Sequence, residues 1–176
     1  SVRSRTGDID LSRIPVPGYG WGLPLAAGSK LVPIVPKPLT EPQVETAIVI
    51  DASAGVFAPA PFTAAQTIRG DSAVELNAIY SRLSSAQLDE TLKSYWRNKY
   101  DYVDIRSVNW AFDGKRSQLR IAMTGSAKID WKDGWFYVPG SSIAYNPDFT
   151  RADGPFHDAP FAISFPSWES TRVEVR

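Results

Sequence analysis

Between residues 43 and 51 the chain reads Gln-Val-Glu-Thr-Ala-Ile-Val-Ile-Asp, rich in β-branched residues and closed by a polar, Gly-containing stretch at 51–55. That composition predicts a strand, and 62–69 is its plausible partner. After Gly70 the period changes. Ala73, Leu76, Tyr80 and Leu83 recur at three- and four-residue steps, and Ser72 with Glu75 has the spacing of a capping box, which predicts a helix over 72–83. A second helix is predicted over 85–99. Ser84 and Gln87 would cap it, and Leu88, Leu92, Tyr95 and Trp96 draw one apolar stripe along it. The two read as a helical hairpin.

From Tyr102 the period becomes two over part of the run, with Tyr102, Val108, Trp110 and Phe112 among the large residues. The run closes at Asp113-Gly114, a pair that tolerates the positive φ of a tight hairpin turn, and Leu119, Ile121 and Met123 line one face of the return strand. A second such pair, Asp133-Gly134, separates Lys-Ile-Asp-Trp at 128–131 from Trp-Phe-Tyr-Val at 135–138, which predicts a second hairpin. Alternation returns at 171–176 as a final strand. Proline marks the irregular ends: nine of the fourteen lie in residues 1–61 and none in 62–138. The pattern as a whole predicts one α+β domain over 43–176, a mainly antiparallel sheet or sandwich with the helical hairpin packed on it. An extended Pro/Gly-rich arm over 1–42 precedes it. Trp21, Leu23 and Leu25 are too apolar for a free linker, so the arm is expected to lie along a surface of this domain or of an adjoining one.

Composition narrows the function classes. At 176 residues, 43% hydrophobic and 22% charged, the chain has the make-up of a single globular domain rather than a disordered or fibrous one. Lys+Arg and Asp+Glu number 19 each and form no long run, so the overall charge calls for neither nucleic acid nor an anionic membrane as a partner. No apolar stretch is long enough for a membrane span. The absence of cysteine excludes disulfides, thiolate metal sites and a cysteine nucleophile. With His157 as the one histidine, a Ser-His-Asp site can be built only around it, and zinc would depend on carboxylates. Neither a catalytic residue, a cofactor nor a metal is assigned. The first residue is Ser1, which suggests a chain processed or excised from something longer.

Four groups carry candidate chemistry. Trp131, Trp135 and Tyr137 alternate across the second hairpin and would, if exposed, form an aromatic platform for a sugar ring or an extended peptide. The alternative is a sheet face buried under the helices, the usual role of cross-strand aromatics. Asp148, Asp153 and Asp158, with Asn146, crowd oxygen ligands into one loop. Counted from Asn146, however, Arg151 and His157 stand where a calcium-binding EF-hand needs Gly and Glu. His157-Asp158 could pair a base with its orienting carboxylate, but no Gly-x-Ser-x-Gly elbow accompanies it. Arg69-Gly70-Asp71 matches a cell-adhesion tripeptide, and its simpler role is a strand-to-helix turn with Asp71 or Ser72 as cap.

Arg-Gly-Asp-Ser-Ala-Val-Glu-Leu at 69–76, Leu-Ser-Ser-Ala-Gln-Leu-Asp at 83–89 and Tyr-Trp-Arg-Asn-Lys-Tyr-Asp-Tyr-Val at 95–103 resemble the region downstream of the core in bacterial transglutaminase-like proteins with flanking domains of unknown function. Arg-Thr-Gly-Asp at 5–8 and Trp-Gly-Leu-Pro at 21–24 look like the linker leaving that core. The family's core uses a Cys-His-Asp arrangement, and none of it maps onto this cysteine-free chain. The resemblance therefore implies a non-catalytic accessory module of a larger exported, periplasmic or envelope protein, with that protein's adjoining domains as partners. A peptide- or glycan-binding module is the alternative.

Overall fold

The computed structural model describes residues 20–35, 38–55, 57–128, 131–136, 150, 153–154, 157–158, 160 and 167–176. Along the chain run β1 (Trp21–Gly22), β2 (Val32–Pro33), β3 (Val44–Ile50), β4 (Ala60–Arg69), α1 (Asp71–Tyr80), α2 (Ser85–Lys99), β5 (Val103–Asp113), β6 (Gln118–Ala127), β7 (Trp131–Lys132), β8 (Trp135–Phe136) and β9 (Glu169–Val175). Five strands form one sheet in the order β5-β6-β4-β3-β9. All its pairs are antiparallel except β3 with β9. β1 with β2, and β7 with β8, form two small separate ribbons. The fold is thus α+β with a mostly antiparallel sheet.

β4 and β5 both run antiparallel to β6 and lie on either side of it. The chain must therefore leave β4, cross the sheet through α1 and α2, lay down β5, and return through a hairpin into the gap. Alternation along β4 buries Ala60, Phe62, Ala64, Gln66 and Ile68, and their ladder partners Ala127, Met123, Ile121 and Leu119 share that face. Ala73 and Tyr80 of α1 and Leu92 and Trp96 of α2 join the same cluster, so both helices cover one face of the sheet. Trp96 is the largest wholly buried side chain and stacks on Tyr100, with ring centres 5.9 Å apart.

α2 begins where its pattern places it. The Ser84 Oγ accepts from the Gln87 N–H at 3.3 Å, and the Gln87 Oε1 accepts from the Ser84 N–H at 3.0 Å. α1 departs from expectation at both ends. Its N-cap is Gly70, with φ of 73° and no side-chain cap, so the Ser72–Glu75 box does not form. Its last residue is Tyr80, not Leu83. Ser81, Arg82 and Leu83 instead fold into a turn whose N–H groups donate to Asn77, Ile79 and Tyr80.

The β5–β6 hairpin also differs from the expected two-residue turn at Asp113-Gly114. Asp113 pairs with Gln118 across a four-residue loop, and the residue at positive φ is Ser117, at 48°. The Asp113 Oδ1 accepts from the Arg116 N–H at 3.1 Å, which closes the wider turn. Ser117 is buried, and its carbonyl accepts from the Gly70 N–H at 2.9 Å, tying the loop to the entry of α1. In β5 the register slips between Ile105 and Ser107. This bulge at Arg106 resets the alternation, so Val103 and Ile105 before it and Val108, Trp110 and Phe112 after it all point to the helical side.

A polar triad lies within this layer. The Gln66 Nε2 donates to the Thr46 Oγ1 at 3.0 Å across β3–β4, and the Tyr95 hydroxyl of α2 donates to the Gln66 Oε1. Tyr95→Phe strands that acceptor, so urea denaturation should show a loss of about 1–3 kcal/mol. Gly125 lies where β6 meets the β5 backbone, and an added Cβ would stand 2.4 Å from the Asp104 carbonyl oxygen. Gly125→Ala should cost about 1–3 kcal/mol by the same measurement, because backbone rather than a flexible side chain has to yield.

Candidate functional site

The Asp133-Gly134 turn is the tight one. Both residues take positive φ, 53° and 81°, as a type I′ turn requires, and β7 and β8 pair directly across it. Trp131 is the ladder partner of Phe136 and Lys132 that of Trp135. The two tryptophans are therefore not cross-strand partners. Trp135 is 71% exposed, and Tyr137 lies outside the described residues.

The Arg69-Gly70-Asp71 sequence does not form a free adhesion loop. Arg69 is the last residue of β4, and its guanidinium is held at 2.8 Å by Glu45, at 3.2 Å by Glu41 and at 2.9 Å by the Pro42 carbonyl. Gly70 turns the chain into α1 with a backbone conformation that other residues rarely adopt. A recess of about 210 Å³ lies beside this junction, lined by Val44, Ile68, Arg69, Ser72 and Glu169 among others. That is below the volume typical of small-molecule sites, roughly 300 Å³ and up.

His157 is 55% exposed and has Asp153, not Asp158, within 3.9 Å of its Nδ1. Asn146 and Asp148 of the oxygen-rich loop lie outside the described residues. Among the described residues no three of His, Asp and Glu converge. The ionisable groups that burial perturbs most are phenols of the core. Burial pushes Tyr102 up to about 12, with Tyr100 and Asp101 adding to the effect, and it raises Tyr80 and Tyr100 as well. These hydroxyls stay protonated at neutral pH, so they can donate but do not exchange protons there.

The least expected surface belongs to the arm. Residues 20–35 form a hairpin instead of a purely extended segment, and Trp21, Leu23 and Leu25 do not lie along a surface of this domain. They are 63%, 58% and 105% exposed, with Leu31 and Val35 exposed beside them. Pro24, Gly28 and Pro33 had masked the signal, since they interrupt the alternation on either side of the turn. Comparisons with protein-family models, curated proteins and solved structures found no match.

The raised phenols give the stability a pH dependence. A folded-state value above the ordinary 10 means that Tyr102 leaves stability intact below pH 10 and erodes it as pH rises towards about 12, because the unfolded chain ionises first. Among the described residues the buried Tyr102 hydroxyl has no hydrogen-bond partner. Tyr102→Phe should therefore leave the melting temperature at neutral pH unchanged or higher, and should lessen its fall between pH 10 and 12. Thermal melts across that range check both effects.

Proposed function

We propose that this chain is a non-catalytic accessory module, structural or interactive, of a larger bacterial transglutaminase-like protein exported to the cell envelope. It would position a substrate for a neighbouring domain or shape access to that domain's site. The observation that carries this reading is a contrast within the chain. Thr46, Gln66 and Tyr95 satisfy one another inside the body, whereas large apolar side chains stand in solvent on the short hairpins. Uncovered apolar groups of this kind are the usual mark of a surface that meets something else. The resemblance of 69–76, 83–89 and 95–103 to transglutaminase-like proteins supplies the identity of the neighbour. The test is the intact reading frame of the gene together with the mass of the native protein. An upstream segment bearing Cys, His and Asp is expected, and a native protein of these 176 residues alone would overturn the reading.

A second reading, binding of a peptide or glycan at the second hairpin, is favoured by the 71% exposure of Trp135. It calls for a change in tryptophan emission when soluble glycans or extended peptides are added at millimolar concentration, and for loss of that change in Trp135→Ala. An unchanged spectrum at that concentration removes it.

A further inference from the structure

We propose that the hairpin of residues 20–35 docks the module onto an anionic membrane surface. The proposal rests on the reading that this module works through the surfaces it leaves uncovered. The β1–β2 ladder pairs Trp21 with Pro33 and Gly22 with Val32, and the Ile34 N–H donates to the Gly20 carbonyl at 3.0 Å. Strand alternation then puts Trp21, Leu23, Leu31, Pro33 and Val35 on one side of the ribbon. Trp21, Leu23, Leu31 and Val35 are each between 58% and 77% exposed, and Leu25 in the connecting loop is fully so. The opposite side carries Gly22, Val32 and Ile34. A Cβ added at Gly22 would come within 2.9 Å of the Ile34 Cδ1, so Ile34 fills the space over Gly22, while Val32 is 45% exposed.

Charge identifies the occupant. Residues 11–40 contain Arg13, Lys30 and Lys37 and no Asp or Glu, although the whole chain is neutral. The chain therefore separates its charge, with one basic, apolar segment against a net acidic remainder. Tryptophan and leucine on one face, with Lys30 as the one charged residue of 20–35 and no carboxylate among them, is the combination that settles at the headgroup boundary of an anionic bilayer. A protein partner would ordinarily be met by a polar rim around the apolar centre, and within 20–35 Lys30 is the one charged side chain. The turn also keeps part of its backbone internally bonded, since the Ala26 N–H donates to Pro24 at 2.9 Å and the Ser29 N–H to Ala26 at 3.2 Å. Each such bond lowers the cost of bringing the loop into an apolar medium.

Co-sedimentation of the whole chain with vesicles of phosphatidylcholine, alone or mixed with phosphatidylglycerol, tests this. Binding should increase with phosphatidylglycerol content and fall with added salt. Leu23→Ser with Leu25→Ser should weaken it by about tenfold or more. Lys30→Glu should weaken it by roughly tenfold at low salt, with little effect on the thermal melt of a chain altered only at exposed positions. No sedimentation at millimolar lipid, or equal sedimentation of the double variant, overturns the proposal. So does a lipid-free dimer in sedimentation velocity that the double variant abolishes together with vesicle binding, because the apolar face then belongs to a second copy. Vesicle binding is read on this chain alone, whereas the accessory role is read on the gene and native mass, so either can fail while the other stands.

Discussion

In the ladder between β4 and β6, ten residues of each strand pair without a break, and one side of that ladder faces both helices. Everything else is placed relative to it. Phe62 sits opposite Gly125 and Ala64 opposite Met123, so a large residue meets a small one at both places, and Phe62, Ala64 and Met123 join Trp96 and Leu92 of α2 in one buried cluster. Phe62 also meets Tyr100 and Tyr102, with ring centres 5.4 Å and 6.0 Å away, which fixes the exit of α2 and the entry of β5 against the ladder. β5 can then close on the outer side of β6 because Gly125 lets its backbone approach. The crossover and the return hairpin are thus two consequences of one strand pair.

The same layer absorbs chemistry that, in isolation, looks functional. Gln66 and Thr46 are buried polar residues in mid-sheet, and Tyr95 is the helix residue that reaches them. A triad of this kind fixes the position of α2 along the sheet, since sliding the helix would leave a buried amide unpaired. Tyr100 and Tyr102, near the end of α2, are pressed into ring contacts, and burial raises their phenols above the ordinary value. Arg69, the cation of the apparent adhesion motif, holds Glu41 and Glu45 near the start of β3. These residues are occupied with keeping the sheet and helices together, and the uncovered apolar side chains stand instead on the hairpins.

Much of the body is legible in the sequence where one residue's preference decides the outcome locally. α2 spans 85–99 as the pattern predicts because the capping box fixes its start, and Asp133-Gly134 turns tightly because both residues accept positive φ. Asp113-Gly114 carries the same signal and behaves differently. There the Asp113 carboxylate captures the Arg116 N–H, and Gly70 captures the Ser117 carbonyl, so contacts beyond the dipeptide set the loop. The bulge at Arg106 explains why alternation along β5 looks partial when read without its neighbour. The partner of β9 is illegible for a plainer reason: alternation shows that 169–175 is a strand but not that it runs parallel beside β3. Of the candidate site, the hairpin itself is legible, whereas the ladder that pairs Trp131 with Phe136 and Trp135 with Lys132 depends on register.

The uncovered face of the sheet shows that the apolar hairpin is not a product of loose composition. Opposite the helices the chain presents Glu45, Thr63, Ser107, Asn109, Arg120, Thr124 and Arg172, all exposed, and the Ser107 and Thr124 hydroxyls bond each other at 2.7 Å. Along the strands these alternate with the buried apolar positions, as expected of a sheet with water on one side, while Ala47, Ala65 and Ala122 form an alanine row across the middle of the same face. The outer strands carry the same protection, with the bulge at Arg106 on β5 and the charged Glu169, Arg172 and Glu174 on β9. The exposed side chains around that alanine row are charged or carry hydroxyls and amides, whereas Trp21, Leu23, Leu25, Leu31 and Val35 stand in the open along one short stretch, with no carboxylate from residue 11 to 40. The difference between the two surfaces is what makes solvent the wrong partner for the hairpin.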